Sequence, residues 1–227
     1  FLVNPDPVAG LSMILVEGVE SRPERAPAGV VMAASFNDGA EPTIGGGPVE
    51  ARKLGDAKLG DGSAGKGLKV SGDSSAAYGV VPDWFGGTVE FDVQARDVGG
   101  GSLRLLKLTR HADVELRMAR QGGRVGLVLR TSEPLTTAGD EAGEAGDAPA
   151  NKTRQAFAAF GPSRSAWRHV VLTWEFGQYR LFVDGKLAAS VLGPTRLQRR
   201  DGTVFEPGLM LGGEGDGATV VDELVVN

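Results

Sequence analysis

"WRHVVLTWEFGQYRLFVDGKLAAS", residues 167 to 190, reads as three short strands separated by two tight turns. Side chains alternate between the two faces of a strand, so a period of two marks one buried side. On that rule Val170, Leu172 and Trp174 share a face. Tyr179, Leu181 and Val183 continue it, and Leu187, Ala189 and Val191 complete nine inward positions. Asp184-Gly185 accepts the positive φ angles of a type I′ hairpin turn, and Gly177-Gln178 is placed to make the first turn. The stretch predicts a meander in an antiparallel sheet.

The same rhythm extends outward. "GGTVEFDVQ" (86 to 94), "SLRLLKLT" (102 to 109), "DVELRMA" (113 to 119) and "RVGLVLRT" (124 to 131) follow at the spacing of a sandwich or barrel. No segment longer than about two turns carries a helical period, so the expectation is an all-β chain. With 35 glycines and 12 prolines among 227 residues, roughly a fifth of the chain against about an eighth on average, many turns are expected.

Composition also excludes. A net charge of -5, with no lysine-rich run, argues against a nucleic-acid surface. No apolar run approaches the ~18 residues of a membrane-spanning helix. The absence of cysteine removes disulfides and thiolate metal sites. The chain begins at Phe1 rather than methionine, which is read as removal of an upstream segment such as a secretory signal.

Residues 1 to 29 form an N-terminal extension. "LSMILVEGV" (11 to 19) has the character of a strand apolar on both faces, and "ESRPERAPAG" (20 to 29) that of a Pro-rich linker. Such a strand needs a partner, either an edge of its own sheet or a second molecule, so self-assembly through it is one expectation. Residues 132 to 155 contain "AGDEAGEAGDAPA", which is acidic and poor in apolar groups, and are read as an exposed loop between two strands. Asp140, Glu141, Glu144 and Asp147 in it lack the spacing of a dedicated calcium loop.

Four motifs in order resemble the LamG-like, concanavalin A-like lectin-glucanase jelly-roll superfamily. They are "ASFNDG" (34 to 39), "GGTVEFDVQ", the opening Trp-x-x-Val strand with its Val-Asp-Gly hairpin, and the closing "GLMLGGEGDGATVVDELVVN" (208 to 227). The resemblance covers residues 30 to 227 and implies a two-sheet antiparallel jelly-roll sandwich. Function is far less defined by such a fold than by its site. The expected role is a non-catalytic carbohydrate-binding or adhesion module of a secreted or cell-surface protein, with a polysaccharide or glycan as partner. The alternatives are a structural subunit of an extracellular assembly and a polysaccharide-degrading glycosidase or lyase.

Candidate residues follow. Glu90, Asp92 and Gln94 share one face of their strand, where laminarinase-type relatives carry Glu-x-Asp and a second Glu. Gln94 lacks the proton a carboxylic acid would supply, so the row is assigned to carbohydrate binding and no residue to catalysis. Trp84, on the loop "VPDWFGG", is the expected sugar-stacking aromatic, whereas Trp167 and Trp174 match core positions of the family. Arg104, Arg110, Arg117, Arg120, Arg124 and Arg130 are read as scattered solvated charges, with an anionic-glycan surface as the alternative; His111 and His169 form no triad or metal spacing, and nothing singles out His111, Arg117 or Tyr179 for lyase chemistry.

Asp222 has the parity of Val220, Leu224 and Val226, and an ionised carboxylate on an apolar face costs several kcal/mol unless it is paired. By resemblance to jelly rolls with a structural calcium between opening and closing strands, Asp222 is expected to bind calcium with Asn37 or Asp38. A β-bulge at Asp222-Glu223, or hydrogen bonds from backbone amides, are the alternatives.

Overall fold

The structure is a computed structural model that describes residues 30–42, 44–45, 51–52, 57–78, 86–96, 98–108, 113–133, 152–161, 166–193 and 208–227. Trp84, His111, the apolar stretch 11–19 and the acidic tract lie outside the described residues.

Sixteen strands and no helix are present among the described residues. In chain order they are β1 (Met32–Ala34), β2 (Ile44–Gly45), β3 (Ala51–Arg52), β4 (Lys58–Asp61), β5 (Lys66–Ser71) and β6 (Ser75–Tyr78). The central strands are β7 (Gly86–Gln94), β8 (Ser102–Leu108), β9 (Asp113–Gln121), β10 (Arg124–Glu133) and β11 (Lys152–Ala159). The meander follows as β12 (Trp167–Glu175), β13 (Gln178–Val183) and β14 (Lys186–Leu192), before β15 (Leu209–Gly212) and β16 (Ala218–Val226).

They form two antiparallel sheets packed as a jelly-roll sandwich. One runs β14-β13-β12-β7-β16-β1-β2, with the β4–β5 hairpin joined to β16 through β5. The other runs β11-β10-β9-β8-β15-β6-β3. Apolar residues from both sheets meet between them: Phe91, Val170, Leu172 and Leu224 from the first, Leu106, Leu116, Met118 and Leu129 from the second, all fully buried.

The expected meander is present, with two adjustments. The first turn is at Phe176-Gly177, both with positive φ, one residue earlier than expected. The second is at Asp184-Gly185, also with positive φ at both positions. Of the nine inward positions, Val170, Leu172, Trp174, Tyr179, Leu181 and Val191 are buried, and Val183 and Ala189 pack partly against the core. Leu187 is the correction, at 60% exposed. Leu181 pairs with Ala189 but Phe182 pairs with Leu187, so Ala188 is an extra residue in a bulge. Because the side-chain period is two, one inserted residue sends Leu187 to the other face.

A second bulge interrupts β16. Asp222 pairs with Asp92 and Val225 with Glu90, so Glu223 and Leu224 together oppose Phe91. Thr219 and Val221 face inward before it, and Leu224 and Val226 after it. Val220 and Asp222 are buried too, but on the outward side of the sheet, beneath the β4–β5 hairpin.

The segment expected as a loop from 132 to 155 begins and ends in strand. Ser132 pairs with Thr153 and Glu133 with Lys152, so β10 and β11 extend into it. Their pairing is what the apolar alternation dictates: Leu127 and Leu129 on β10 stand opposite Ala158 and Ala156.

Candidate functional site

On the outward face of the first sheet, register decides which side chains meet. β12 pairs with β7 so that Trp167 stands opposite Gln94, His169 opposite Asp92, Val171 opposite Glu90 and Thr173 opposite Thr88. The inward neighbours Val170, Leu172, Phe91 and Val93 are fully buried, which leaves Trp167, His169, Val171, Glu90, Asp92 and Gln94 at least partly open to solvent, while Thr88 at the end of the row is buried. Glu90, Asp92 and Gln94 are therefore brought together as the alternation implied.

Trp167 is a correction to the expected core assignment. Trp174 is in the core at 4% exposure, but Trp167 has the opposite parity and is only partly buried, beside Gln94. An odd separation of seven residues is enough to put the two rings on opposite faces of one strand.

His169, set aside in the sequence, is the centre of the face. Its Nδ1 lies 3.0 Å from Asp92 Oδ1 and its Nε2 3.6 Å from Glu90 Oε2. The hydrogen bond to Asp92, followed by that to Glu90, pushes its pKa up to about 9. At neutral pH it is an imidazolium that donates from both nitrogens and has no lone pair for a metal or for proton abstraction.

Asp92 is held from its other side. Ser63 Oγ donates to Asp92 Oδ2 at 2.8 Å and sits 3.1 Å from Asp222 Oδ2. The serine does not reach the histidine, so these three residues are not a nucleophile, base and orienter in sequence. Glu223 enters from the β16 bulge with φ 50. Partial desolvation, then the charges of Asp222 and Asp92, push its pKa up to about 7. Arg96 donates to Gln94 Oε1 at 2.6 Å at the far end of the row.

Asp222 is fully buried and its oxygens are occupied. Oδ2 accepts from the amides of Ser63 at 2.8 Å and Ala64 at 3.1 Å, and Oδ1 from the Glu223 amide at 2.9 Å. Desolvation raises its pKa despite these bonds. Asn37 Oδ1 accepts from the Lys66 amide at 2.8 Å. Both residues thus grip the tip of the β4–β5 hairpin. A Cβ at Gly62 would fall 2.3 Å from Asp222 Oδ2, and one at Gly65, whose φ is +101, within 2.2 Å of Asn37 Oδ1. Only glycine permits so close a fit.

Of the residues expected to bind calcium, Asp222 and Asn37 have side-chain oxygens that face N–H donors. Among the described residues no group of three or more acidic or histidine side chains is arranged to hold a metal.

On the opposite sheet, Arg104 and Arg117 are not scattered solvated charges. Arg104 donates to Glu214 Oε2 at 2.8 Å and to the Gly212 carbonyl at 2.9 Å, and Arg117 donates to Glu214 Oε1 at 2.9 Å. Glu115 lies 3.3 Å from Arg117 and 3.8 Å from Arg104. Tyr179 is buried on the first sheet and Arg117 stands on the second, and burial pushes the Tyr179 pKa up to about 12.

No family model matches the chain, and no curated protein matches its sequence. Solved structures do resemble it. Domain 4 of AbnA, a GH43 extracellular arabinanase from Geobacillus stearothermophilus solved with arabinotriose, superposes with a TM-score of 0.51 at 16% identity, covering 87% of this chain and 91% of that one. Trypanosoma rangeli sialidase gives 0.55 at 18% identity, over 88% of this chain and 31% of that one. The binding domain of botulinum neurotoxin serotype C1 gives 0.58 at 10% identity, over 87% and 48%. Likenesses at such identities establish the sandwich fold.

Proposed function

We propose that this chain is a non-catalytic carbohydrate-binding or adhesion module of a secreted or cell-surface protein, of the LamG-like kind its motifs resemble. The observation that carries this reading is the partly exposed Trp167 in register with Gln94, beside the His169–Asp92 pair. An aromatic ring offers an apolar surface to a sugar face, and fixed polar groups beside it meet the hydroxyls. The fold supports the reading, because it is shared with a domain of an extracellular arabinanase solved with arabinotriose. A glycan array with the purified chain tests it: binding that Trp167→Ala abolishes is expected, and a blank array would refute it.

One observation favours a second reading, polysaccharide hydrolysis. Glu223, with a pKa near 7, is close enough to Asp92 to feel its charge, and an acid beside a carboxylate is the minimum a glycosidase needs. Reducing ends released without unsaturation from a polysaccharide panel, and lost in Glu90→Gln and Glu223→Gln, would replace the binding reading with this one.

A further inference from the structure

The outward face of the first sheet carries another aromatic ring besides Trp167. Leu181 is fully buried in the core, so its neighbour Phe182 on β13 points outward, where it is partly exposed. β12 and β13 pair so that Phe182 stands opposite Val171, and past the β14 bulge Leu187 stands on its other side. The shift that turns Leu187 away from the core thus completes an apolar patch, Val171–Phe182–Leu187, across three adjacent strands. Val171 is partly exposed and Leu187 largely so.

This patch lies four residues along β12 from Trp167 and one strand over, about 14 Å at roughly 3.4 Å per residue and 4.8 Å per strand. His169 is midway on β12, with Asp92 opposite it and Glu90 opposite Val171. The face therefore has two apolar ends and a middle of hydrogen-bonding groups. Acids and cations both border it: Arg96 donates to the side-chain oxygen of Gln94, and Arg180 to that of Gln178. Charge sign selects nothing here, whereas the spacing of the apolar ends can.

A linear oligosaccharide matches that order. Its rings offer C–H faces to aromatic side chains, and its hydroxyls meet the polar groups between. A protein surface seated there would have to desolvate Glu90, Asp92 and the imidazolium together, a cost that sugar hydroxyls offset by hydrogen bonding. We infer that Phe182, flanked by Val171 and Leu187, is a second stacking position for the glycan that stacks on Trp167, so that the face prefers an oligosaccharide long enough to reach both rings. This rests on the carbohydrate-binding reading.

Isothermal titration of the intact chain provides the test, with xylo-, arabino- and laminari-oligosaccharides of increasing length, from the monosaccharide upward, as probes. In a series that binds, affinity should rise about tenfold or more once the sugar spans both rings, about 1.4 kcal/mol. Phe182→Ala should erase that rise and leave the shortest binding sugar unaffected, while Phe182→Tyr retains it. Leu187→Ser, at an exposed edge position, should weaken the long oligomers alone, and it carries the test if circular dichroism shows Phe182→Ala misfolded. Affinity that does not grow with length, or growth unaltered in both variants, would overturn the inference and leave the carbohydrate reading standing. So would dimerisation through the patch, seen by sedimentation and lost in Phe182→Ala. Binding of no sugar in any series, together with a blank glycan array, would remove both.

Discussion

Ser63 and Asp222 are 159 positions apart in the chain, yet the Ser63 amide donates to Asp222 Oδ2 at 2.8 Å. The bond latches the tip of the β4–β5 hairpin onto the closing strand and places the Ser63 hydroxyl on Asp92. One buried carboxylate thereby couples the stability of the sheet to the geometry of the outward face.

Asp222→Ala removes the acceptor for three amides. These bonds are only partly buried, so each donor left unpaired costs at most about 1–3 kcal/mol; a drop in melting temperature is expected, with Asp222→Asn milder. Excess chelator should leave the native curve unchanged. A melting temperature that falls on chelation would instead support calcium at Asp222, Asn37 and Asp38, since an ion bound only by the native state stabilises it by mass action.

Stability should fall as pH rises from acid toward about 9. His169 has a folded pKa of about 9, above its ordinary 6.5, so its contribution is complete below 6.5 and is lost as pH passes through 9. Glu223 at about 7, above its ordinary 4.5, favours the protonated fold and loses that contribution between 4.5 and 7. Asp222 shifts in the same direction, while the lowered Asp73 and Glu214 act in more acidic solution. Thermal melts across this range are the check: Glu223→Gln should flatten the lower limb and His169→Gln the upper. Stability that instead rises toward pH 9 would contradict the sign.

The two tryptophans of β12 should separate cleanly. Trp174→Ala opens a cavity in the core and should cost about 3–5 kcal/mol. Trp167→Ala should cost far less in a denaturant titration while removing glycan binding. Equal losses of stability would return Trp167 to the core.

Arg104→Ala should destabilise strongly, because it leaves the buried Glu115 and the Gly212 carbonyl short of a partner; breaking a buried pair costs about 3–5 kcal/mol. Arg124→Ala, at an exposed position, should stay within about 0.5 kcal/mol. Comparable effects at both positions would mean the network on β8 and β9 contributes little.

The β14 bulge has its own test. Leu181→Ala should cost about 2–5 kcal/mol, while Leu187→Ser should be nearly neutral or improve solubility. A large loss at Leu187 would restore the unbroken alternation.

What the sequence alone determined was local. Periods of two, Asp184-Gly185 and the turn-rich composition were sufficient for an all-β meander, because alternation and turn chemistry are written in neighbouring residues. They also placed Glu90, Asp92 and Gln94 on one face. Parity fails wherever a bulge inserts a residue: no local signal announced the extra Ala188, and the bulge at Asp222-Glu223 was legible only as an alternative to calcium. Leu187 and Asp222 were therefore assigned to the wrong face. That His169 meets Asp92, or that Ser63 reaches both Asp92 and Asp222, depends on the pairing of strands 77, 29 and 159 positions apart. Such pairing is set by how two whole sheets bury their apolar faces together, and only the tertiary structure decides it.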